Sequence, residues 1–344
     1  MRPRLEDVAR LAKVHPATVS RALNEHTREL VSAETLERVV RAAEELNYLP
    51  NTMARSLASA RSSTIGVVIG DLAVPLFAHM IRGIDDVTSA AAYTALVVNT
   101  DNDPERENRH LRSLEERRVD GLIVTTSTLN DSDGCRRFSR VAPVVNLLRT
   151  SDDPGVGQVI SNDTLGMKLV MDHLFALGHR RIGLVAGPQQ ISTARARLRG
   201  YRDALMDRNL PVEGELIVTI DHIDTERGRR ATARLLESTD ATAIIGFNDM
   251  ITFGVLQELR ARGIDCPGGM SVVGFSDVPA AELIAPALTT VAVDHYKMGV
   301  EAARMMLARL NDPDDYVPHS VELPVHLVVR ESTANAAVRT AHVH

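Results

Sequence analysis

The chain has 344 residues, 44% hydrophobic and 24% charged, as expected of an ordinary water-soluble protein with more than one folding unit. No apolar run approaches the roughly 20 residues that span a bilayer, and the opening Met1–Asp7 enters a charged amphipathic stretch rather than a signal peptide's apolar region, so a cytoplasmic location without a membrane partner is expected. The net charge of -6 argues against nucleic acid until it is divided: residues 1–61 hold ten Lys/Arg and eight Asp/Glu, hence +2, which leaves -8 for the remainder. A weakly basic head on an acidic body fits a DNA-reading module joined to a domain with another task. The two cysteines, Cys135 and Cys266, lack CxxC or HxxxH spacing, which speaks against a disulfide framework or a structural zinc.

The first sixty residues read as short helices without a strand. In Leu5–Ala12, residues Leu5, Val8, Ala9 and Ala12 share one helical face. Pro16 suits the first position of a second helix, in which Val19 and Leu23 face inward and Ala17, Ser20, Arg21 and Asn24 face outward or flank. A third helix follows Ser32, a fitting N-cap with Glu34 in the first turn, and turns Leu36, Val39, Val40, Ala43 and Leu46 inward. Three short helices with a tight turn between the first two describe a helix-turn-helix, whose second helix lies in the major groove. There Arg21 can donate two hydrogen bonds to guanine O6 and N7, and Ala17, one turn earlier, can touch a thymine methyl. Thr18, Ser20 and Asn24 are donors suited to phosphates. The competing interpretation is a small bundle used for protein contacts.

From Thr64 onward the pattern changes to apolar strand-like runs alternating with longer helical segments: 65–69, 95–99, 121–124, 144–148, 182–186, 243–246 and 272–275. Such alternation predicts parallel sheets flanked by helices. The number of runs predicts two sheets rather than one, with the chain crossing between lobes near Ser161–Asp163. A cleft between two α/β lobes, lined by strand carboxyl ends, is where small ligands bind in such folds. After Glu331 the polar tail is expected to be disordered.

Three segments carry a resemblance: Leu5–Ala12, Ala17–Asn24 and the run Asn47-Tyr48-Leu49-Pro50-Asn51-Thr52-Met53-Ala54-Arg55-Ser56-Leu57 are similar to the lactose/galactose repressor (LacI/GalR) family. Family-like segments continue at Thr193–Tyr201, Phe247–Asp249, Val272–Asp277 and Ala287–Val291, so the likeness covers nearly the whole chain. It implies an all-α helix-turn-helix domain, 1–50, a hinge helix and linker, 51–63, and a sensor of two doubly wound parallel-sheet lobes resembling periplasmic binding proteins, 64–331. The lobes would exchange chain near 161–163, 291–294 and 320–322, leaving 332–344 as the tail. In the family resembled, paired hinge helices fold on DNA and a leucine from each enters the minor groove; Leu57 stands at that position, and Asn51, Ala54 and Arg55 belong to the same DNA-facing helix. A flexible linker with Leu57 packing locally is the alternative.

The resemblance also implies an effector site with Phe77 as an apolar wall and Arg197 and Asn248 as polar contacts, and it places Leu148, Ile223, Ser276, Asp277 and His295 around the same cleft. An arginine there can grip a carboxylate, phosphate or vicinal hydroxyls with two parallel bonds; its alternative is a surface or interlobe salt bridge, and that of Asn248 a helix cap. Several positions depart from the family pattern: Lys13 replaces the turn glycine, His15 the capping serine, Leu148 and Ser276 two acids, and Val293 a polar residue. His295 stands where an aromatic or apolar residue is usual. The missing acids point to an effector less hydroxylated than a hexose, or to an anion meeting Arg197.

The resulting reading is a sequence-specific transcriptional regulator, a repressor, controlled by a carbohydrate or related metabolite and acting as a homodimer on a pseudo-palindromic duplex operator. No cofactor, metal or catalytic residue is expected. The alternatives are a two-lobed transport-type binding protein, which would need a signal peptide and no DNA-reading head, and a Rossmann-type enzyme, against which stands the absence of GxGxxG, GxxxxGK[ST] or a Ser, His and acid set.

Overall fold

The computed structural model describes residues 3–23, 27–48, 61–129 and 133–336. The chain divides into two compact units, Met1–Ser62 and Ser63–His344.

In the first unit, α1 (Leu5–Ala12), α2 (Pro16–Ala22) and α3 (Ala33–Glu45) enclose a small core of Val8, Ala9, Ala12, Val19, Ala22, Val39, Ala42, Ala43 and Tyr48. The turn between α1 and α2 runs through Lys13 in the left-handed region, φ 54°. Helix α2 opens with Pro16 at its first turn and is capped by His15, whose Nδ1 accepts from the Ala17 amide at 3.2 Å. Ser32 caps α3 by accepting from the Thr35 amide. One inward assignment changes: Val40 is 38% exposed and Ala42 takes its place in the core. The cause is helical geometry, since a step of about 100° per residue carries Val40 off the face shared by Val39, Ala42, Ala43 and Leu46.

The second unit holds two six-stranded sheets with one topology used twice. In the first lobe the order is β11-β5-β4-β3-β1-β2, all parallel, with β1 (Thr64–Ile69), β2 (Thr94–Asn99), β3 (Gly121–Val124), β4 (Val144–Leu147), β5 (Gly157–Ser161) and β11 (Ser320–Leu323). In the second lobe it is β12-β10-β9-β8-β6-β7, with β6 (Ile182–Ala186), β7 (Ile217–Thr219), β8 (Ala243–Gly246), β9 (Ser271–Ser276), β10 (Thr289–Val293) and an antiparallel β12 (Val325–Val328). The near-continuous burial of β1, β3, β4, β6, β8 and β9 follows from helices covering both faces of each sheet.

Helices α4 (Pro75–Ala90), α5 (Pro104–Glu116), α6 (Asp133–Ser139) and α12 (His295–Asn311) accompany the first sheet; α7 (Asp163–Ala176), α8 (Ser192–Met206), α9 (Thr225–Ser238), α10 (Asp249–Ala261) and the short α11 (Ala280–Leu283) accompany the second. Two helix pairs touch backbone to backbone because a glycine from each meets the other. A Cβ at Gly83 or Gly299 would lie 2.2 or 2.1 Å from a carbonyl oxygen across the α4–α12 pair, and one at Gly228 or Gly254 would do the same across α9–α10.

The chain passes between lobes at Asn162, Asp294 and Pro324. The last passage lies beyond 320–322 because β11 keeps its parallel pairing with β5 as far as Leu323. The tail after Glu331 is also corrected. Ser332 is fully buried, its Oγ donating to Val272 O at 2.6 Å and accepting from the Thr289 amide at 2.8 Å, and the Ala336 amide donates to Leu177 O at 2.8 Å. Residues 332–336 thus satisfy strand-end groups of the second lobe that would otherwise be buried without partners, which overrides their polar composition. Residues 337–344 lie outside the described residues.

Candidate nucleic-acid helix and ligand cleft

On α2, the buried Val19 and Ala22 turn Ala17, Ser20 and Arg21 outward to solvent, with Pro16 and Thr18 half-exposed beside them. The Arg21 guanidinium has no ion pair or hydrogen bond among the described residues, in contrast to Arg10, Arg38 and Arg41, which pair with Asp7, Glu34 and Glu37 on their own helices. An arginine on an exposed helix face can form the two-bond contact that guanine offers. Asn24, Asn51, Ala54, Arg55 and Leu57 fall outside the described residues.

In the body, the strand order 2-1-3-4-5, repeated as 7-6-8-9-10, places a switch point beside β1 in one lobe and β6 in the other. Crevices open at the carboxyl ends of strands at such points. Phe77 follows β1 in the first turn of α4, Arg197 lies on the helix after β6, and Asn248 stands two residues past the strand next to β6, at the start of α10. Phe77 is buried in the first lobe's core, with Leu148 packed partly buried against the same cluster. Leu148 takes φ 72° as its amide donates to Val159 O. Ile223 packs half-buried on the second lobe.

Arg197 is 5% exposed and already held. Its Nε and Nη2 reach Asp163 Oδ1 at 2.8 and 2.7 Å, Nη1 donates to Phe247 O at 2.6 Å, and the guanidinium carbon lies 3.6 Å above the Phe275 ring. The edge that would grip a carboxylate through two parallel bonds is therefore taken by Asp163. This pair is neither at the surface nor between lobes, because both residues belong to helices of the second lobe. Burial pushes the Asp163 carboxyl above its usual range, and Arg197 pulls it back.

Asn248 acts as the cap of α10, its Oδ1 accepting from the Ile251 amide at 3.0 Å, while its Nδ2 has no partner among the described residues. Ser276 is buried with φ 132°, and Asp277, with φ 53°, is drawn to Arg330 Nη1 at 2.7 Å. His295, the first residue of α12 beyond the Asp294 passage, brings the first lobe next to Arg197. Burial, then Arg197 and His79, lower its pKa to about 4, so the ring is neutral at pH 7. Val293, just before the passage, packs against the cores of both lobes.

Sequence reasoning missed three features. Asp163 sits where the chain crosses between lobes, and its ion pair has no local sequence signature. Asp249 is fully buried, accepting from Thr290 Oγ1 at 2.6 Å and from the Val278 amide at 2.9 Å, and burial raises its carboxyl to about 6. Among the described residues the lobes are joined by the Thr150 amide donating to Ser192 Oγ and the Leu129 amide donating to Gln190 O, each at 2.9 Å. Among the described residues no group of three or more His, Cys, Asp or Glu is arranged to hold a metal, and no helix is long and apolar enough to cross a membrane. Cys266 is half-buried, its thiol pushed up to about 12 by burial.

A helix-turn-helix unit combined with a body of two doubly wound lobes defines a ligand-sensing transcriptional regulator. The description "Bacterial regulatory proteins, lacI family" matches residues 4–51, and "Periplasmic binding protein-like domain" matches 171–333. The chain is 33% identical over 333 residues to the ribose operon repressor of Halalkalibacterium halodurans, covering 96% of each, and 32% identical to the HTH-type transcriptional repressor PurR of Aliivibrio fischeri, covering 96% of this chain and 98% of the other. A structure of the lac repressor dimer bound to operator and the anti-inducer ONPF is 29% identical, superposes with a TM-score of 0.85, and is matched over 97% of this chain and 100% of that one. The chain belongs to the LacI family of bacterial regulatory proteins.

Proposed function

We propose that this regulator acts in the cytoplasm as a homodimeric repressor without enzymatic activity, each protomer reading one half of a pseudo-palindromic operator with α2. The reading is carried by the exposed Arg21, without a side-chain partner among the described residues, on the face it shares with Ala17 and Ser20. In this arrangement Arg21 reads a guanine, Ala17 a thymine methyl, and Thr18, Ser20 and Asn24 the backbone, while Pro16 starts the helix at the groove edge. Asn51, Ala54, Arg55 and Leu57 form a hinge that folds on the operator centre, Leu57 wedging a base step. An effector in the cleft, contacted by Arg197 and Asn248 and walled by Phe77, Leu148, Ile223, Ser276, Asp277 and His295, changes the relation of the lobes and hence the pairing of the two heads. A carbohydrate or related metabolite is the favoured effector class, in keeping with the ribose operon repressor among the relatives.

The test is a gel shift of the full chain against genomic fragments at physiological ionic strength. One fragment class should be retained over random duplex, and Arg21→Ala should lower that specific affinity by about 1–3 kcal/mol. Equal weakening on operator and random DNA would assign Arg21 to phosphate, and no sequence preference at all would overturn the reading.

A further inference from the structure

We infer that the cleft is built for an electrically neutral effector, and that Asp163 is the residue that sets this preference by cancelling the charge of Arg197. The inference rests on the cleft being the effector site. Arg197 and Asp163 are 7% and 5% exposed at their side chains and joined at 2.7 Å, so the pair enters the cleft wall with no net charge. The groups around the guanidinium come from every element packed on it: Asp163 from α7, the Phe247 carbonyl and ring after β8, the Phe275 ring from β9, and His295 from α12. His295 adds no charge at neutral pH, and its neighbour His79 is exposed.

The acids nearby have partners of their own. Asp277 is bound to Arg330, and Asp249 spends its oxygens on Thr290 Oγ1 and the Val278 amide. Leu148 offers no acceptor where an acid would accept hydroxyl protons. Arg197 keeps two of its five guanidinium N–H groups, since three are used in the bonds above, and Nδ2 of Asn248 has no partner among the described residues. These donors suit the uncharged acceptor atoms of a neutral molecule, such as carbonyl, ring or hydroxyl oxygens. An anion at the free N–H groups would sit within a guanidinium's width of the Asp163 carboxylate, where repulsion and its own desolvation offset the attraction of Arg197. The anionic effector considered from sequence is thereby disfavoured.

The experiment uses the full chain and simple oxyanions as probes. Thermal unfolding of wild type, Asp163→Asn, Asp163→Glu and the double variant Asp163→Asn/Arg197→Met is followed in sodium phosphate or acetate against sodium chloride at matched ionic strength. Wild type and Asp163→Glu should show no oxyanion-specific shift. Asp163→Asn should gain a saturable rise, about 3–6 °C at a tenfold excess of anion over its Kd, and the double variant should lose it. Wild-type stabilisation by oxyanion that vanishes in Arg197→Met would overturn the inference, as would a folded Asp163→Asn with no gain. If Asp163→Asn does not fold, the wild-type comparison with Arg197→Met decides alone. Because the readout is an anion response and not DNA release, failure to find an operator would count against the regulatory reading and leave this result standing.

Discussion

Removing one member of the Arg197–Asp163 pair should be far more damaging than removing both. With side-chain exposures of 7% and 5%, neither charge can turn to water, and the pair is anchored by two contacts of 2.7 and 2.8 Å to one oxygen. Asp163→Ala leaves a buried guanidinium over the Phe275 ring, and Arg197→Met leaves a buried carboxylate without its counter-charge. Each single change should cost about 3–5 kcal/mol, the range for stranding one partner of a buried pair, or roughly 6–20 °C in the unfolding midpoint. In the double variant the thioether can pack between Phe247 and Phe275, no charge is buried, and the net loss should fall to about 1–2 kcal/mol. Urea unfolding of the four proteins, followed by circular dichroism, closes the double-mutant cycle. If the singles stay within about 1 kcal/mol of wild type, or if the double loses the sum of the two, the pair is not the charge-compensating element described here.

Other consequences are smaller in scope. Lys13→Gly should stabilise the head by about 1 kcal/mol, because φ 54° suits glycine at no steric cost; an unchanged or lower midpoint for the isolated head transition would contradict this. Gly254→Ala should destabilise the body by about 1–3 kcal/mol despite alanine's better helix propensity, since its Cβ would meet Thr225 O at 2.1 Å and Arg229 N at 2.7 Å; a gain in stability would show that α9 and α10 part easily. His295 makes the protein acid-sensitive. Its folded pKa of about 4 lies below the ordinary 6.5, so its contribution is present above pH 6.5 and lost as pH falls toward 4. His295→Gln should therefore gain up to about 3 kcal/mol relative to wild type between pH 7 and pH 4 in denaturant titrations, and a constant difference would refute the assignment. Asp249, raised to about 6, has the opposite sign, its contribution being present below pH 3.8 and lost as pH rises through 6.

What could be read from residue order was whatever local periodicity and turn chemistry dictate. The Pro16 start, the Ser32 cap and the Val8, Ala9, Ala12 and Val19 faces define the head, because helix geometry alone decides which side chains meet. The alternating apolar runs marked most strands of both lobes, since doubly covered parallel strands must be apolar throughout. The edge strand Ile217–Thr219, three residues long and buried mainly at Val218, has too little pattern to stand out.

Contacts between distant segments were invisible for the same reason. The polarity of Ser332 and Thr333 concealed their docking on β9 and β10, which depends on strand-end groups 43 to 60 residues away in the chain. For Arg197 the sequence offered an effector contact or a surface or interlobe salt bridge, but not its partner, Asp163, 34 residues earlier, which only the fold brings against it. Periodicity specifies which faces are apolar, but the partners that neutralise a buried charge or satisfy a buried amide are chosen by how the lobes close in space, and the chemistry of the cleft is set there.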